Sequence, residues 1–365
     1  MNIVFRVDAA PSIGGGHLSR CLTLASKLKA EGARCLFVMR EHSDYLGQHV
    51  HTAGFELLTL PRVNNARVDA ASYVSWVGAP WQTDAQQTYH ALTTYLSDEI
   101  HWLVVDHYGL EAEWERYFLN KGIRVGAIDD LVNRPHCAEF ILDQTCGRSS
   151  IEYSSLVEED TQFFVGERYC LLRSEFFDVR HSSLQKRQSF CQIQTILVNF
   201  GSTDPTGHTM SALKGLTAFA TANDVEVCVV VGSGCPFLDE IQRLSDVLPY
   251  KITLHVDSTQ VAQLITKADI AIGAAGASTW ERCFLGLPTL LVKTAENQTD
   301  VVNRVISSGA ALGFDDSLED QDLLSQAIRE LEQQYTTISD SCFTMPIGQG
   351  VESIVSFLNE GDNHE

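Results

Sequence analysis

Short apolar runs alternate with helix-like segments along most of the chain, and this alternation restricts the fold more than any other feature. The runs are rich in Val, Ile, Leu and Phe, and several end in glycine-containing turns. Such runs, separated by amphipathic segments, are typical of β-α-β units whose parallel strands are buried on both faces. The pattern therefore predicts an α/β protein with parallel sheets. The predicted strands are Asn2–Val7, Cys35–Met39, Phe55–Leu60, Trp102–Asp106, Val125–Ile128, Thr195–Phe200, Val225–Val231, Ile252–Val256, Asp269–Ile272 and Thr289–Val292.

The alternation is interrupted once, between Ser150 and about Gln192, where the chain is polar and ends in HSSLQKRQS. We interpret the end of this stretch as a linker, since 365 residues are enough for about two domains. We expect an N-terminal Rossmann-like domain at residues 1–188, a second one at residues 189–345, and a C-terminal helix and acidic tail at residues 346–365. Ligands bind at the carboxyl ends of parallel strands, so two such domains facing each other would form a cleft.

Charge and cysteine content exclude several classes of protein. The chain has 26 basic and 47 acidic side chains, a net charge of −21, so we do not expect it to bind nucleic acid or an anionic membrane through its overall field. Its ten cysteines are scattered without a C-x-x-C pair, which suits a reducing compartment. The N-terminus has the pattern of a strand rather than of a signal peptide, and no apolar segment is long enough to span a membrane. We therefore expect a cytoplasmic protein. The sequence does not indicate its oligomeric state.

The first candidate motif is the glycine run Gly14-Gly15-Gly16 followed by His17. Glycines allow a tight turn and a close approach of the backbone to a ligand. His17 then lies at the start of a helix, where the helix dipole disfavours the imidazolium and keeps the ring available as a general base. Neither the dinucleotide pattern nor a Walker lysine is present. The alternative is a helix-capping loop with a surface histidine.

A second polar segment, Asp106-His107-Tyr108-Gly109, follows the predicted strand Trp102–Asp106. Side chains at the carboxyl end of that strand would lie at the same sheet edge as His17. The alternative is that Asp106 caps the next helix and Tyr108 packs in the core.

A third motif, Gly276 to Glu281, places glycine, Ser278 and Thr279 between a strand and a helix. Free backbone N–H groups and the helix dipole there would bind phosphate, and Glu281 would accept from ribose hydroxyls. Gly201 and Ser202 end a neighbouring strand and would close on the same phosphates. The alternative is a turn of small residues that packing requires.

A fourth motif, Asn297-Gln298, follows the strand Thr289–Val292. Side-chain amides at this position would bind a sugar, although an asparagine N-cap explains Asn297 equally well.

Together these segments resemble the UDP-2,4-diacetamido-2,4,6-trideoxy-β-L-altropyranose hydrolase family of pseudaminic acid synthesis, and the two-domain layout resembles nucleotide-sugar enzymes of the GT-B fold. GAAGASTWE is also similar to the UDP-binding region of the GlcNAc transferase that makes lipid II. One departure is FGSTD, where the family has a glycine pair before a polar residue and Asp. The resemblance rests on FRVDAAPSIGGGHLSRCLTLA, DHYGL, IDDLVNRPHCAEFILD, YCLLRSEF, LVNFGSTDPTG and GAAGASTWERCFLGLPTLLVKTAENQ, spread between residues 5 and 298.

The resemblance implies hydrolysis of a UDP-sugar at C1 with inversion, without a cofactor or metal, giving UDP and the free sugar. It implies that His17 is the catalytic base, and that Tyr108 and Asn297 support the sugar and the attacking water. A GT-B glycosyltransferase and a non-catalytic nucleotide-sugar-binding protein remain alternatives. We expect the following residues to bind substrate: Gly14, Gly15, Gly16, Arg20, Arg173, Gly201, Ser202, Gly276, Ser278, Thr279, Glu281 and Gln298.

Overall fold

The computed structural model describes residues 1–43, 45–63 and 73–360, and the chain divides into two compact units. The N-terminal unit comprises residues 1–171 together with the segment that starts at Ile347, and the C-terminal unit comprises Leu172–Pro346. We expected an acidic tail at residues 359–365; its first two residues belong to the last helix, and residues 361–365 lie outside the described residues.

Seven parallel strands form the sheet of the N-terminal unit, in the order β3-β2-β1-β4-β5-β6-β7. All five residues of the central strand, WLVVD, are buried. This double-sided burial explains why the strands appear as continuous apolar runs in the sequence. The strands are β1 (Asn2–Val7), β2 (Arg34–Arg40), β3 (Glu56–Leu60), β4 (Trp102–Asp106), β5 (Arg124–Ile128), β6 (Phe140–Asp143) and β7 (Gln162–Val165). The helices before residue 171 are α1 (Gly16–Ala30), α2 (Gln48–Thr52), α3 (Tyr73–Trp76), α4 (Trp81–Tyr95) and α5 (Ala112–Leu119), with 3-10 turns at Ser150–Tyr153 and Glu167–Tyr169.

Six parallel strands form the sheet of the C-terminal unit, in the order β10-β9-β8-β11-β12-β13. They are β8 (Thr195–Asn199), β9 (Glu226–Val231), β10 (Ile252–Val256), β11 (Ile270–Ala274), β12 (Thr289–Val292) and β13 (Leu312–Gly313). The helices of this unit are α6 (Ser174–Gln188), α7 (His208–Gly215), α8 (Thr217–Asn223), α9 (Leu238–Val247), α10 (Val261–Lys267), α11 (Ser278–Phe284), α12 (Thr299–Ser307), α13 (Gln321–Gln333) and α14 (Tyr335–Thr344), with a 3-10 turn at Glu296–Gln298.

Both sheets have the doubly wound strand order, which confirms the prediction of two Rossmann-like halves. In this order the chain reverses direction across the sheet between the first and fourth strands of each unit, β1 and β4 or β8 and β11. The carboxyl ends of these strands flank the crevice in which open α/β sheets bind ligands. Three of the four candidate motifs follow these strands directly, and the fourth follows β12, the next neighbour of β11.

The division between the units falls after Leu171, which corrects the expected boundary at residue 188. The polar stretch that we interpreted as a linker folds into α6, and this helix packs in the C-terminal unit. Ser183 Oγ donates to the carbonyl of Leu285 at 2.7 Å, and Arg187 Nη2 donates to that of Ile265 at 2.7 Å. Because these side chains bind backbone oxygens in the interior, the polarity of the segment does not indicate exposure to solvent.

The last helix, α15 (Gly350–Glu360), packs against α1 in the N-terminal unit, so this helix is part of that unit and not of the separate C-terminal region that we expected. Its residues Ile354, Val355 and Leu358 are buried in the core, and Trp102 Nε1 donates to the carbonyl of Leu358 at 3.3 Å. The chain therefore leaves the N-terminal unit once and returns to complete it.

Three smaller points concern the remaining expectations. The two helices α7 and α8 meet at Leu216, and β6, β7 and β13 were not among the predicted strands. All ten cysteines are free thiols and nine are buried. In the described ranges, no helix combines the length and the hydropathy needed to cross a membrane.

Candidate functional site

His17 and Asp106 contact each other at the crevice of the N-terminal unit. His17 is the second residue of α1, and Asp106 ends β4, where it is aligned with Val7 of β1. The distance between His17 Nδ1 and Asp106 Oδ1 is 2.5 Å, and the Asp106 carboxyl is fully buried. In the neutral imidazole, this carboxylate accepts the Nδ1 proton and leaves Nε2 with the free lone pair. The arrangement is that of a histidine base oriented by an acid.

Arg20 lies one helical turn beyond His17 and binds two carboxylates. Its Nε and Nη2 donate to Asp106 at 2.6 and 2.7 Å, and its Nη1 donates to Asp130 at 2.8 Å. With its charge paired inside the unit, Arg20 is poorly suited to bind a diphosphate. We therefore revise the expectation that it contacts substrate and regard it as a residue that positions Asp106.

Tyr108 stands beside His17, with the two ring centroids 4.5 Å apart in an edge arrangement. Its hydroxyl donates to Asp130 Oδ1 at 2.5 Å, so Asp130 holds both Arg20 and Tyr108. Burial and the neighbouring Asp130 raise the pKa of Tyr108 well above its usual value, which keeps the hydroxyl protonated near neutral pH. The hydroxyl oxygen remains able to accept a hydrogen bond.

The charges around Asp106 keep it ionised. Burial by itself would raise the pKa of its carboxyl, but the charge of Arg20 and the contact with His17 outweigh burial and hold the pKa well below its usual value. Asp106 therefore stays an acceptor for the imidazole through the physiological range.

An aromatic cluster lies next to His17. It consists of Tyr73 and Trp76 on α3 together with Tyr108, and the Trp76 ring lies 6.3 Å from His17 and 5.7 Å from Tyr108. The sequence interpretation did not include Tyr73 or Trp76, because α3 is four residues long and no glycine turn precedes it.

A second buried network supports the Asp129-Asp130 pair that follows β5. Asp129 pairs with Arg134 at 2.6 Å and lies 3.8 Å from His136 Nε2, and His136 Nδ1 lies 2.6 Å from Glu115 Oε1. Burial opposes the His136 cation, but the two carboxylates dominate and raise its pKa from 6.5 to about 9. The position of Asp130 at the end of a strand next to β4 is a signal that could have identified it from the sequence.

The glycine run forms the turn expected of it. Gly14 has φ +92°, a backbone conformation that favours glycine, and its N–H donates to the carbonyl of Ala10 at 2.7 Å. Gly15 is the N-cap of α1 without a side-chain hydrogen bond, and Gly16 is exposed. Because glycine has no side chain, the N-cap position leaves the first N–H groups of α1 without a side-chain acceptor.

In the C-terminal unit, the turn after β8 exposes Ser202 and has Gly201 at φ +94°. The next acidic residue, Asp204, turns inward and accepts from the backbone N–H groups of His208 and Thr209 at 3.0 and 2.8 Å. Burial opposes ionisation of Asp204, but the side chains of His208 and Thr209, together with these two backbone N–H groups, outweigh burial and lower its pKa. Asp204 therefore stabilises the start of α7.

The buried Arg282 stabilises the turn after β11 through hydrogen bonds from its guanidinium. Its Nη2 donates to the carbonyl of Ala274 at 2.8 Å, and its Nη1 donates to Ser278 Oγ at 3.0 Å. Thr279 is buried and donates to Ala274 at 3.3 Å, which corrects its assignment as a substrate donor: its hydroxyl stabilises the loop. A Cβ on Gly273 would lie 3.0 Å from Arg282 Nη1 and 2.4 Å from the carbonyl oxygen of Asn199, so only glycine fits beside the guanidinium.

Arg173 and Glu281 are brought together, with Nη2 and Oε1 3.3 Å apart. Burial raises the pKa of Glu281, and the charge of Arg173 opposes that shift.

The turn after β12 carries the amide pair Asn297 and Gln298. Gln298 Oε1 accepts from the N–H and the hydroxyl of Thr294 at 2.9 and 3.0 Å, and Asn297 is half-buried. The relation of Asn297 to His17 stays a prediction.

Comparison with known proteins agrees with the layout of both units. Residues 195–344 match the glycosyltransferase family 28 C-terminal domain. The chain is 21% identical over 310 residues to a UDP-2,4-diacetamido-2,4,6-trideoxy-beta-L-altropyranose hydrolase of Campylobacter jejuni, covering 85% of this chain and 97% of the relative. It is 25% identical over 242 residues to the spore coat polysaccharide biosynthesis protein SpsG of Bacillus subtilis, covering 61% of this chain and 70% of the relative. The resemblance noted from the motifs is thus confirmed as a distant one.

Among solved structures, MurG of Acinetobacter baumannii superimposes with a TM-score of 0.65 at 13% identity, over 98% of this chain and 99% of that protein. The chain has a GT-B-like fold. This fold accounts for two doubly wound sheets in one chain, and the match to the family 28 domain begins at the first residue of β8.

Proposed function

We propose that this GT-B-like chain is an enzyme that acts on nucleotide sugars, and that it hydrolyses a UDP-linked 2,4-diacetamido-2,4,6-trideoxy sugar to UDP and the free sugar, a step of pseudaminic acid synthesis. The observation that carries the proposal is the 2.5 Å contact between His17 Nδ1 and the buried Asp106, which suits Nε2 for general base catalysis. The Campylobacter jejuni relative, matched over 97% of its length, supports the choice of substrate.

In the proposed reaction, the oxygen of a water molecule forms a bond to C1 of the sugar while its proton passes to Nε2 of His17. The bond between C1 and the diphosphate oxygen breaks, both electrons leave with UDP, and the configuration at C1 inverts. Asp106 stabilises the imidazolium that forms. Tyr108, which stays protonated, positions the sugar and the water through its hydroxyl oxygen.

We assign UDP recognition to the C-terminal unit. Backbone N–H groups at Gly201, Ser202 and Gly276 and the hydroxyl of Ser278 would stabilise the charge that develops on the leaving diphosphate. Glu281, held by Arg173, would accept from the ribose hydroxyls. Asn297 and Gln298 are assigned to the sugar, and the Gly14–Gly16 turn to the substrate side of His17.

The second candidate function is transfer of the sugar to an acceptor. The match of residues 195–344 to a glycosyltransferase domain and the similarity to MurG favour it. The two functions differ in one measurable respect: a hydrolase releases UDP from its substrate in water alone, whereas a transferase needs an acceptor.

The deciding experiment incubates the protein with a panel of UDP-sugars in ¹⁸O-water, without acceptor and with EDTA present, and follows UDP and sugar by mass spectrometry. We expect UDP release from the diacetamido sugar, with the label in the sugar. Release only after an acceptor is added would establish transfer, and label in UDP would refute attack at C1. A non-catalytic binding protein would release no UDP from any sugar.

A further inference from the structure

The indole N–H of Trp76 is a buried donor without an acceptor in the part of the chain that the structure describes. Trp76 is only 6% exposed, and no described residue accepts from its Nε1. Two other buried tryptophans of the same unit are paired: Trp102 Nε1 donates to Leu358 at 3.3 Å and Trp114 Nε1 to Asp84 at 3.1 Å. Because leaving a buried donor unpaired is unfavourable, native structures leave few such groups, and those in ligand sites find their partner in the ligand.

The position of Trp76 connects this donor to the candidate site. Its ring lies 6.3 Å from His17 in an edge arrangement, 5.7 Å from Tyr108 and 5.1 Å from Tyr73. The base thus shares its surroundings with three aromatic rings, one of which carries an N–H without an acceptor among the described residues. Such a lining combines apolar ring faces with a hydrogen-bond donor.

We propose that Trp76 contacts the substrate, donating its indole N–H to the carbonyl oxygen of an N-acyl group on the sugar, whose methyl group packs against Tyr73 and Tyr108. This inference rests on the proposed function in so far as the ligand is a nucleotide sugar. An acyl carbonyl only accepts, and its methyl group is apolar, so both ends fit the wall. A hydroxyl group would accept equally well, but it has no methyl group to pack against Tyr73 and Tyr108.

Binding measured without turnover tests the proposal. In the His17→Ala background, calorimetry gives Kd for UDP-2,4-diacetamido-2,4,6-trideoxy-β-L-altropyranose and for UDP, with and without Trp76→Phe, which keeps an aromatic ring and removes the N–H. We expect Kd for the diacetamido sugar nucleotide to rise about tenfold and Kd for UDP to stay unchanged. The matched control, Trp102→Phe, removes a paired N–H away from His17 and should lower thermal stability without changing either Kd.

The nature of the acceptor is tested with the counterpart that carries hydroxyl groups at C2 and C4. Trp76→Phe should weaken binding of the acylated nucleotide and leave binding of the hydroxylated one unchanged. An equal loss of affinity for the two nucleotides would overturn the carbonyl assignment. A Kd for the acylated nucleotide within about twofold of the parent, or an equal rise for UDP, would overturn the role of Trp76 itself.

The two proposals fail separately. If the enzyme with His17 intact releases no UDP in water while Trp76→Phe weakens sugar binding, hydrolysis is refuted and the Trp76 contact stands. If UDP is released in water and Trp76→Phe leaves Kd for the sugar nucleotide unchanged, hydrolysis stands and the Trp76 contact is refuted. In the enzyme with His17 intact, Trp76→Phe should raise KM about tenfold and change kcat by less than about threefold, because the contact forms with the bound substrate and with the transition state alike.

Discussion

The two units present the same strand order but build the crevice edge differently. In the N-terminal unit, titratable side chains form the edge: His17, Asp106, Arg20 and Asp130 are linked by contacts of 2.5 to 2.8 Å. In the C-terminal unit, Arg282 and Asp204, next to the turns, point back into the protein. Arg282 binds the turn after β11, and Asp204 accepts from the backbone N–H groups of His208 and Thr209 at the start of α7.

This difference suggests a division of labour. A base and its orienting acid need fixed side chains with defined protonation, which burial among paired charges provides. A diphosphate leaving group needs several N–H donors, which turns of small residues provide without a net positive charge. A chain with a net charge of −21 can therefore still bind an anion, provided that the donors are local. The experiments below alter one unit at a time.

The largest effect is expected for His17→Ala, which removes the base from the N-terminal unit. We expect kcat for UDP release to fall at least about 100-fold, the scale of general base catalysis, while Kd for UDP changes little. His51→Ala, an exposed histidine of the same unit, is the control and should retain full activity. A loss of less than about threefold would show that His17 is not the base.

The buried charges of the N-terminal unit should also make its stability depend on pH. The pKa of His136 rises from 6.5 in the unfolded chain to about 9 in the folded protein, so its contribution is fully present below pH 6.5 and is lost as the pH rises through about 9. The shift corresponds to roughly 3 kcal/mol of the free energy of unfolding. Urea unfolding between pH 6 and 9.5 should show this decline, and His136→Gln should flatten it. Parallel curves for the two proteins would contradict the assignment.

The sequence predicts the fold more completely than it predicts the networks of charged side chains. Parallel strands are buried on both faces, so β1, β4 and β9 stand out as apolar runs, and the turns that follow them mark the crevice. By contrast, HSSLQKRQS was misread as a linker, because Ser183 and Arg187 bind backbone oxygens inside the C-terminal unit. Local composition does not show which carbonyl a polar side chain will reach.

The same limit applies to the site. The turns led to the prediction of His17 and Tyr108, since position along the chain fixes which strand end a residue follows. Whether Arg20 binds substrate or Asp106 depends on a contact across 86 residues, which no local pattern encodes. Trp76 was missed for a related reason: α3 reaches His17 only through the tertiary fold.

Asp106→Asn should have the next largest effect. The amide keeps the size of the carboxyl but loses the charge that holds the imidazole and stabilises its cation, so we expect kcat to fall about 30-fold with KM nearly unchanged. Thermal unfolding must be measured in parallel, because Arg20 loses one of its two carboxylate partners. Asp98→Asn, an exposed aspartate, is the control. If stability falls while kcat is retained, Asp106 is a structural residue only.

The smallest effect is expected in the C-terminal unit, for Thr279→Val. The substitution keeps the shape of the side chain and removes the hydroxyl that donates to Ala274 and accepts from Arg282 Nη2, each at 3.3 Å. We expect the free energy of unfolding to fall by about 1 kcal/mol, while Kd for UDP changes by less than about twofold. Ser278→Ala, one residue earlier and half-buried, is the matched comparison and should weaken UDP binding more than it lowers stability. A large loss of UDP affinity in Thr279→Val would show that buried side chains recognise the ligand in this unit too, and the contrast between the two crevice edges would then fail.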